Sequence, residues 1–217
     1  MKIGRAFRNT KRIFNIILSI ISFIIGFFSF IIFAIYKAYN YIKRTIFYIN
    51  KTYSYLDVQK EIKAMDDRQF EIFCGELFKQ LGFKVKVTQK TCDGGKDIVL
   101  KRNGFTTYVE CKKYGINNLI GREPLQKLVG SSIADSVLNM IFITTSDFNK
   151  NAKEYAKKMD SLKLWTTIDI MKNIERLNDS QICTIFKNTE MKYNNGNIIE
   201  KLENINENLV EINKSFR

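Results

Sequence analysis

The chain has no histidine at all. That excludes Ser-His-Asp and Cys-His nucleophilic catalysis, and makes the common structural zinc sites improbable. Cysteine is sparse: Cys74, Cys92, Cys111 and Cys183 form no C-x-x-C pair. Three of the four fall among apolar neighbours, which suits buried free thiols in a reducing compartment. Proline occurs once in 217 residues, so no Pro-rich linker exists, and no internal repeat is visible. Acid is missing from the first 56 positions, which hold nine Lys or Arg, whereas residues 57–217 hold 26 basic and 22 acidic residues. The net charge of +13 therefore belongs mostly to the N-terminus, and the remainder is only mildly basic. Carboxylate, lysine and metal chemistry are the routes to catalysis left open.

What the N-terminus does contain is an uncharged run, Ile13 to Ile35, almost entirely Ile, Phe, Leu and small residues. As a helix it rises about 34 Å, enough to span a bilayer with some tilt. It is too long for a signal peptide and lacks a small-x-small cleavage site. A lipid bilayer is thus an expected partner, with flanking Lys and Arg suited to anionic head groups. Asn15, Ser19, Ser22, Gly26 and Ser29 recur at steps of four and three, a stripe that favours helix–helix packing in lipid and a homo-oligomer. Residues 36–55 carry six Tyr among scattered Lys and Arg and read as an interfacial belt. Basic residues lie on both sides of the run, so orientation is not fixed by charge. Either the basic tail crosses, or residues 13–49 form a re-entrant or tilted element. A single-pass protein with a cytoplasmic catalytic domain is the expectation, chosen on functional grounds.

The centre of the chain is more informative. Two strand-like runs, 97–102 and 105–112, flank Asn103-Gly104, the strongest short hairpin signal. A two-residue loop pairs Arg102 with Phe105, so partners have numbers summing to 207 and Asp97 falls opposite Glu110. Alternation then puts Lys112 on the face of Glu110, and Ile98, Leu100, Val109 and Cys111 on the other, facing a core. Like charges facing across a ladder are destabilising. A divalent cation would compensate them, and hard carboxylate oxygens suit Mg²⁺ or Mn²⁺. Two acids and a lysine converging on a sheet edge suit metal-assisted phosphodiester hydrolysis, with Lys112 orienting water or meeting the phosphate. The bland alternative is a solvated hairpin with a charged outer face.

With Phe70-Glu71, Leu81-Gly82-Phe83, Asp93-Gly94-Gly95-Lys96-Asp97, Tyr108-Val109-Glu110-Cys111-Lys112 and Gln126, residues 66–170 resemble the catalytic core of Mrr-type restriction endonucleases, within the PD-(D/E)XK nucleases. The resemblance implies an α/β fold of restriction-endonuclease type, a mixed central sheet flanked by helices, and Mg²⁺-dependent (or Mn²⁺-dependent) cleavage of DNA. It implies Asp97 and Glu110 as metal ligands with the Cys111 carbonyl as a third, Lys112 as catalytic lysine, Glu71 assisting the metal, and Gln126 near Lys112. Many relatives carry Gln where this chain has Glu110, and no winged-helix domain precedes the core. A catalytically inactive DNA-binding or membrane scaffold protein that keeps the fold is the alternative.

The expected division is 1–56 for the anchor and its flanks, 57–180 for the nuclease domain and 181–217 for a helical tail. Asp66 and Gln69 have capping-box spacing ahead of a helix ending at Gly82. Phe83–Thr88 alternates as a strand, Gln89–Lys96 is a glycine-bearing loop with Asp93 as a turn residue, and Lys113–Gly121 is a loop over the site. A helix follows over Arg122–Val137 with Leu125, Leu128, Val129, Ile133 and Val137 on one face, then a buried strand Leu138–Thr144. A helix over Asn149–Met159, whose lysines could touch phosphates, a strand at Leu164-Trp165 and a helix over Ile168–Leu177 complete the domain. Ile198, Leu202, Ile205, Leu209, Ile212 and Phe216 recur as about three heptads. This tail is either a coiled-coil dimerisation element or an amphipathic helix packed on its own domain.

Overall fold

The computed structural model describes residues 3–49, 51–88 and 95–215. Asp93, Gly94, Cys92 and Phe216 of the sequence expectations lie outside the described residues. Two compact units are present, residues 1–50 and residues 51–217.

The first unit is one helix, α1 (Ile3–Ile49), with no break where the belt of tyrosines was expected. Its 47 residues rise about 70 Å, so a re-entrant turn within 13–49 is not formed. The stretch Ile16–Tyr48 is long and apolar enough, by length and composition, to cross a membrane. Its phenylalanines project outward, Phe23 at 76% exposure.

In the second unit α2 (Tyr55–Ala64) opens the chain, followed by α3 (Asp67–Gln80) and the strands β1 (Lys84–Val87), β2 (Ile98–Arg102) and β3 (Phe105–Lys112). Then come α4 (Arg122–Ala134), β4 (Asn139–Thr144), α5 (Lys150–Ala156), β5 (Leu162–Trp165), α6 (Thr167–Ile174) and α7 (Asp179–Ser215). The five strands stand in chain order, antiparallel from β1 to β3 and parallel from β3 to β5. This is a mixed central sheet with helices on both faces. The crossovers through α4 and α5 cover one face, where Leu125, Leu128, Phe142, Phe148 and Ala152 form the core, as parallel strands require. On the other face lie α3 and α7. Phe78 of α3 stacks on Trp165 of β5 at 5.2 Å between ring centroids, and Phe73 lies 5.5 Å from Phe186 of α7.

Local chemistry accounts for the elements. Asn103 and Gly104 take φ values of 52° and 81°, the paired positive φ of a type I′ turn. The turn sets the register Ile98↔Val109 through Arg102↔Phe105, partners summing to 207 as expected. Asp66 accepts from the Gln69 N–H at 2.7 Å while the Gln69 side chain accepts from the Asp66 N–H at 3.0 Å, so the capping box starts α3 where the sequence placed it. Gly75 is where α3 meets β1: a Cβ there would stand 2.8 Å from Val87 Cγ2. A Gly75→Val substitution therefore overfills a closed contact, and we expect it to cost about 1–3 kcal/mol, read as a lowered midpoint of thermal unfolding.

The structure departs from the sequence expectations at several ends. α2 was not foreseen and straddles the expected boundary at 56/57, although Ser54-x-x-Asp57 forms a capping box. Ile133 is 71% exposed rather than buried, because the stripe that reaches the core runs Leu125, Leu128, Val129 and Ser132. Leu138 lies ahead of β4 and is also exposed. Beyond the expected boundaries, Tyr53 stacks on Phe186 and the Cys183 thiol donates to the Lys51 carbonyl. The start of α7 is part of the core, burying Ile182, Ile185 and Phe186. Cys74, Cys111 and Cys183 are free and buried.

Candidate active site

The site lies where β2 stops short of β3. The pairing of these strands ends at Ile98↔Val109, so Glu110, Cys111 and Lys112 pair only with Phe142, Ile143 and Thr144 of β4. β3 is central in the sheet, yet its last three residues form a local edge. This corrects the expected direct pairing of Asp97 with Glu110. The Asp97 N–H instead reaches the Val109 carbonyl at 2.9 Å, one residue out of register. An unbroken ladder would pair Cys111 with Lys96. Here the Cys111 N–H donates to Asp97 Oδ2 at 2.7 Å, and the carboxylate stands in for the missing strand.

Asp97 is fixed on its other side by β1. Its carbonyl accepts from the Thr88 N–H at 2.8 Å and from Thr88 Oγ1 at 3.0 Å. The carboxylate is 4% exposed and Glu110 8% exposed, both well beneath the surface for acids. Glu110 Oε1 lies 2.6 Å from Lys112 Nζ, two residues along the same face of the strand as alternation requires. Burial disfavours the charged lysine, but hydrogen bonding to Glu110, with Asp97 and Glu71 behind it, outweighs that and raises the Lys112 pKa. The ammonium is thus retained throughout the neutral range.

Glu71 comes from the opposite layer. It sits on α3, partly buried, with Arg68 at 2.6 Å. Burial and then the Asp97 carboxylate raise its pKa, opposed by Arg68 and by Lys112. Glu71, Asp97 and Glu110 therefore share one electrostatic neighbourhood around Lys112. The Cys111 thiol lies beside Cys74 of α3, where burial first and then Cys74 push its pKa up, with the Asp97 and Glu71 carboxylates adding to the effect. Gln126 is exposed on α4 and takes no part in the hydrogen bonds of this cluster. It is next in sequence to Lys127, whose carbonyl would lie 3.8 Å from a Cβ at Gly95, so α4 passes close to the segment bearing Asp97.

Among the described residues, no three acidic or cysteine side chains are grouped to hold a metal ion. The donors that fit a hard cation are two carboxylates and a carbonyl, all oxygen. The loop after Lys112 is anchored through Thr145, whose Oγ1 accepts from the Tyr114 N–H at 2.9 Å and donates to its carbonyl at 2.8 Å. No sequence signal marked Thr145 for this. A third buried carboxylate, Glu76, was also not foreseen. It is 1% exposed and bound by Lys79, Lys192 and Asn188, which tie α3 to α7.

The chain is also similar to known proteins over this region. The chain is 29% identical over 114 residues to an uncharacterized protein, y4cE, of Sinorhizobium fredii (strain NBRC 101917 / NGR234), covering 49% of this chain and 29% of that protein. It is 27% identical over 116 residues to the type IV methyl-directed restriction enzyme EcoKMrr of Escherichia coli (strain K12), covering 50% and 38%. The chain thus spans well under half the length of these relatives. Among solved structures, the DNA modification-dependent restriction endonuclease AspBHI aligns with a TM-score of 0.48 at 18% identity, over 62% of this chain and 38% of that one. MspJI restriction endonuclease, in complex with a 27-mer oligonucleotide, aligns at 0.47 and 12%, over 61% and 34%. A family model for the restriction endonuclease catalytic domain of Mrr type matches residues 62–174, just over half the chain and every candidate site residue, and the chain belongs to that family.

Proposed function

We propose that this chain is a membrane-tethered endodeoxyribonuclease that hydrolyses DNA phosphodiester bonds with Mg²⁺ or Mn²⁺, in restriction of foreign DNA. The observation that carries this reading is the junction of β2 and β3, where Asp97 replaces a ladder partner beside the Glu110–Lys112 ion pair. Two buried carboxylates this close to a lysine have no role in packing that an apolar pair would not fill better.

Asp97, Glu110 and the Cys111 carbonyl would hold the cation, and Glu71 would support it from α3. A bound divalent ion supplies a lowered water pKa and neutralises charge developing on the phosphoryl oxygens. Lys112 acts as a fixed positive charge and hydrogen-bond donor, toward the scissile phosphate or the attacking water. Gln126 would meet the substrate from α4. The helix α1 supplies the tether, with the catalytic unit on the cytoplasmic side where DNA is found, and α1 or the end of α7 as a self-association element.

The test uses the full chain in detergent with supercoiled plasmid. Cleavage should require Mg²⁺ or Mn²⁺ and stop with a chelator. Lys112→Met, which keeps the aliphatic stem, should lower the rate by about 10²-fold. Equal cleavage by the variant, or activity without divalent ions, would refute the reading.

A further inference from the structure

Immediately before Asp97, a side chain makes a set of contacts that no packing need explains. Lys96 Nζ lies 2.5 Å from Asp135 Oδ2 and 3.4 Å from Ser131 Oγ, both at the end of α4. It also sits 4.3 Å from the ring centroid of Tyr108, within cation–π range. The Tyr108 hydroxyl closes the triangle, donating to the same Asp135 oxygen at 2.7 Å. Tyr108 stands on the face of β3 that carries Glu110, two residues away. One contact set therefore joins the residue before Asp97, the strand bearing Glu110, and α4.

We propose that Lys96, Tyr108 and Asp135 form a latch that positions the Asp97 carboxylate for cation binding. This rests on the metal-dependent reading given above. The main chain of Asp97 is tied to β1 and β3 through Thr88 and Val109. Those bonds hold it within the sheet, whereas the latch fixes the preceding turn against the helical layer. Gly95 adopts φ +81° there, facing Lys127 of α4, so the chain enters Asp97 through a conformation open mainly to glycine. A segment of that kind relies on neighbouring side chains to select one geometry. The Asp135 side chain is 44% exposed, and ion pairs open to solvent add little to global stability. Its removal should leave the fold intact and loosen the site.

Charge effects and positioning make opposite predictions. Through its field alone, removing the Lys96 cation would tighten binding of a divalent ion, while removing the Asp135 anion would weaken it. A latch requires both to weaken it, and Tyr108→Phe as well although no charge changes. The experiment is Mn²⁺ titration of the full chain in detergent, followed by the paramagnetic resonance of free Mn²⁺. Lys96→Met, Tyr108→Phe and Asp135→Ala should each weaken binding by about 10-fold, as loss of an outer-shell partner does. Lys96→Arg, which keeps the ion pair and ring contact, should bind nearly as well as the native chain. Tighter binding by Lys96→Met, or no change in any variant, overturns the latch. Hydrogen exchange separates this from failure of the metal reading. Exchange at residues 95–98 should quicken in Asp135→Ala and stay constant in α6. If the native chain binds no Mn²⁺ while that segment loosens, the cation reading has failed and the latch is only structural. Unchanged exchange sinks the latch itself.

Discussion

Asp97→Asn should reduce plasmid cleavage by on the order of 10³-fold while leaving the fold unchanged. The substitution is nearly isosteric, and an amide oxygen can still accept the Cys111 N–H that Asp97 Oδ2 now takes at 2.7 Å. What it removes is the negative charge. The carboxylate is 4% exposed, so its charge is weakly screened and its loss is felt fully by any cation between it and Glu110. The same change should lower the Glu71 pKa, because the Asp97 charge is one of the causes that raise it. Glu71, despite its ion pair with Arg68, carries the opposite sign of linkage from an acid whose pKa is lowered. Its raised folded value means that acidification through it relieves a destabilising charge, and stability rises as pH falls through it. Asp97→Asn should shrink that gain, measured as the pH dependence of the unfolding midpoint. Activity near the native level in Asp97→Asn would remove the carboxylate from the mechanism.

How this site arises shows which parts a sequence can state. The hairpin register followed from Asn103-Gly104 because a type I′ turn leaves one way to pair the flanking residues. The shared face of Glu110 and Lys112 followed from strand alternation. The α3 boundaries followed from the capping box at Asp66 and the stop at Gly82. What escaped was where the ladder ends. Nothing in the residues from Asp97 to Lys112 says that β2 stops opposite Val109, because that break depends on Thr88, just after β1, capturing the carbonyls of Lys96 and Asp97. Glu71 was legible only as a residue on the border of an apolar stripe. Its approach to Asp97 from the other layer is set by how α3 crosses the sheet. Glu76 was illegible for a related reason: its partners Asn188 and Lys192 lie more than a hundred residues away, in a helical tail whose docking face, if it packed on its own domain, nothing in the sequence specified.

Phe73→Ala should cost about 3–5 kcal/mol, a large share of the roughly 5–15 kcal/mol that holds a domain together. Phe73 is fully buried on α3 and lies between Phe70 and Phe186. Its ring fills the seam between α3 and α7, and Phe186 in turn supports Tyr53 at 4.5 Å. Neither helix can close the gap alone, because α3 is pinned to the sheet by Phe78 on Trp165 and by Gly75 against Val87. Trp165 is the only tryptophan, and its fluorescence should report the transition directly in urea. Ile133→Ala, at an exposed position, serves as the control and should shift stability by no more than about 0.5 kcal/mol. A loss of less than about 1 kcal/mol in Phe73→Ala would mean that α7 does not seat on α3 as described. The consequence reaches the chemistry, since Glu71 lies two residues before Phe73 on the same helix. An α3 loosened from α7 holds Glu71 less firmly beside Asp97, so cleavage by Phe73→Ala should fall at temperatures below its unfolding midpoint.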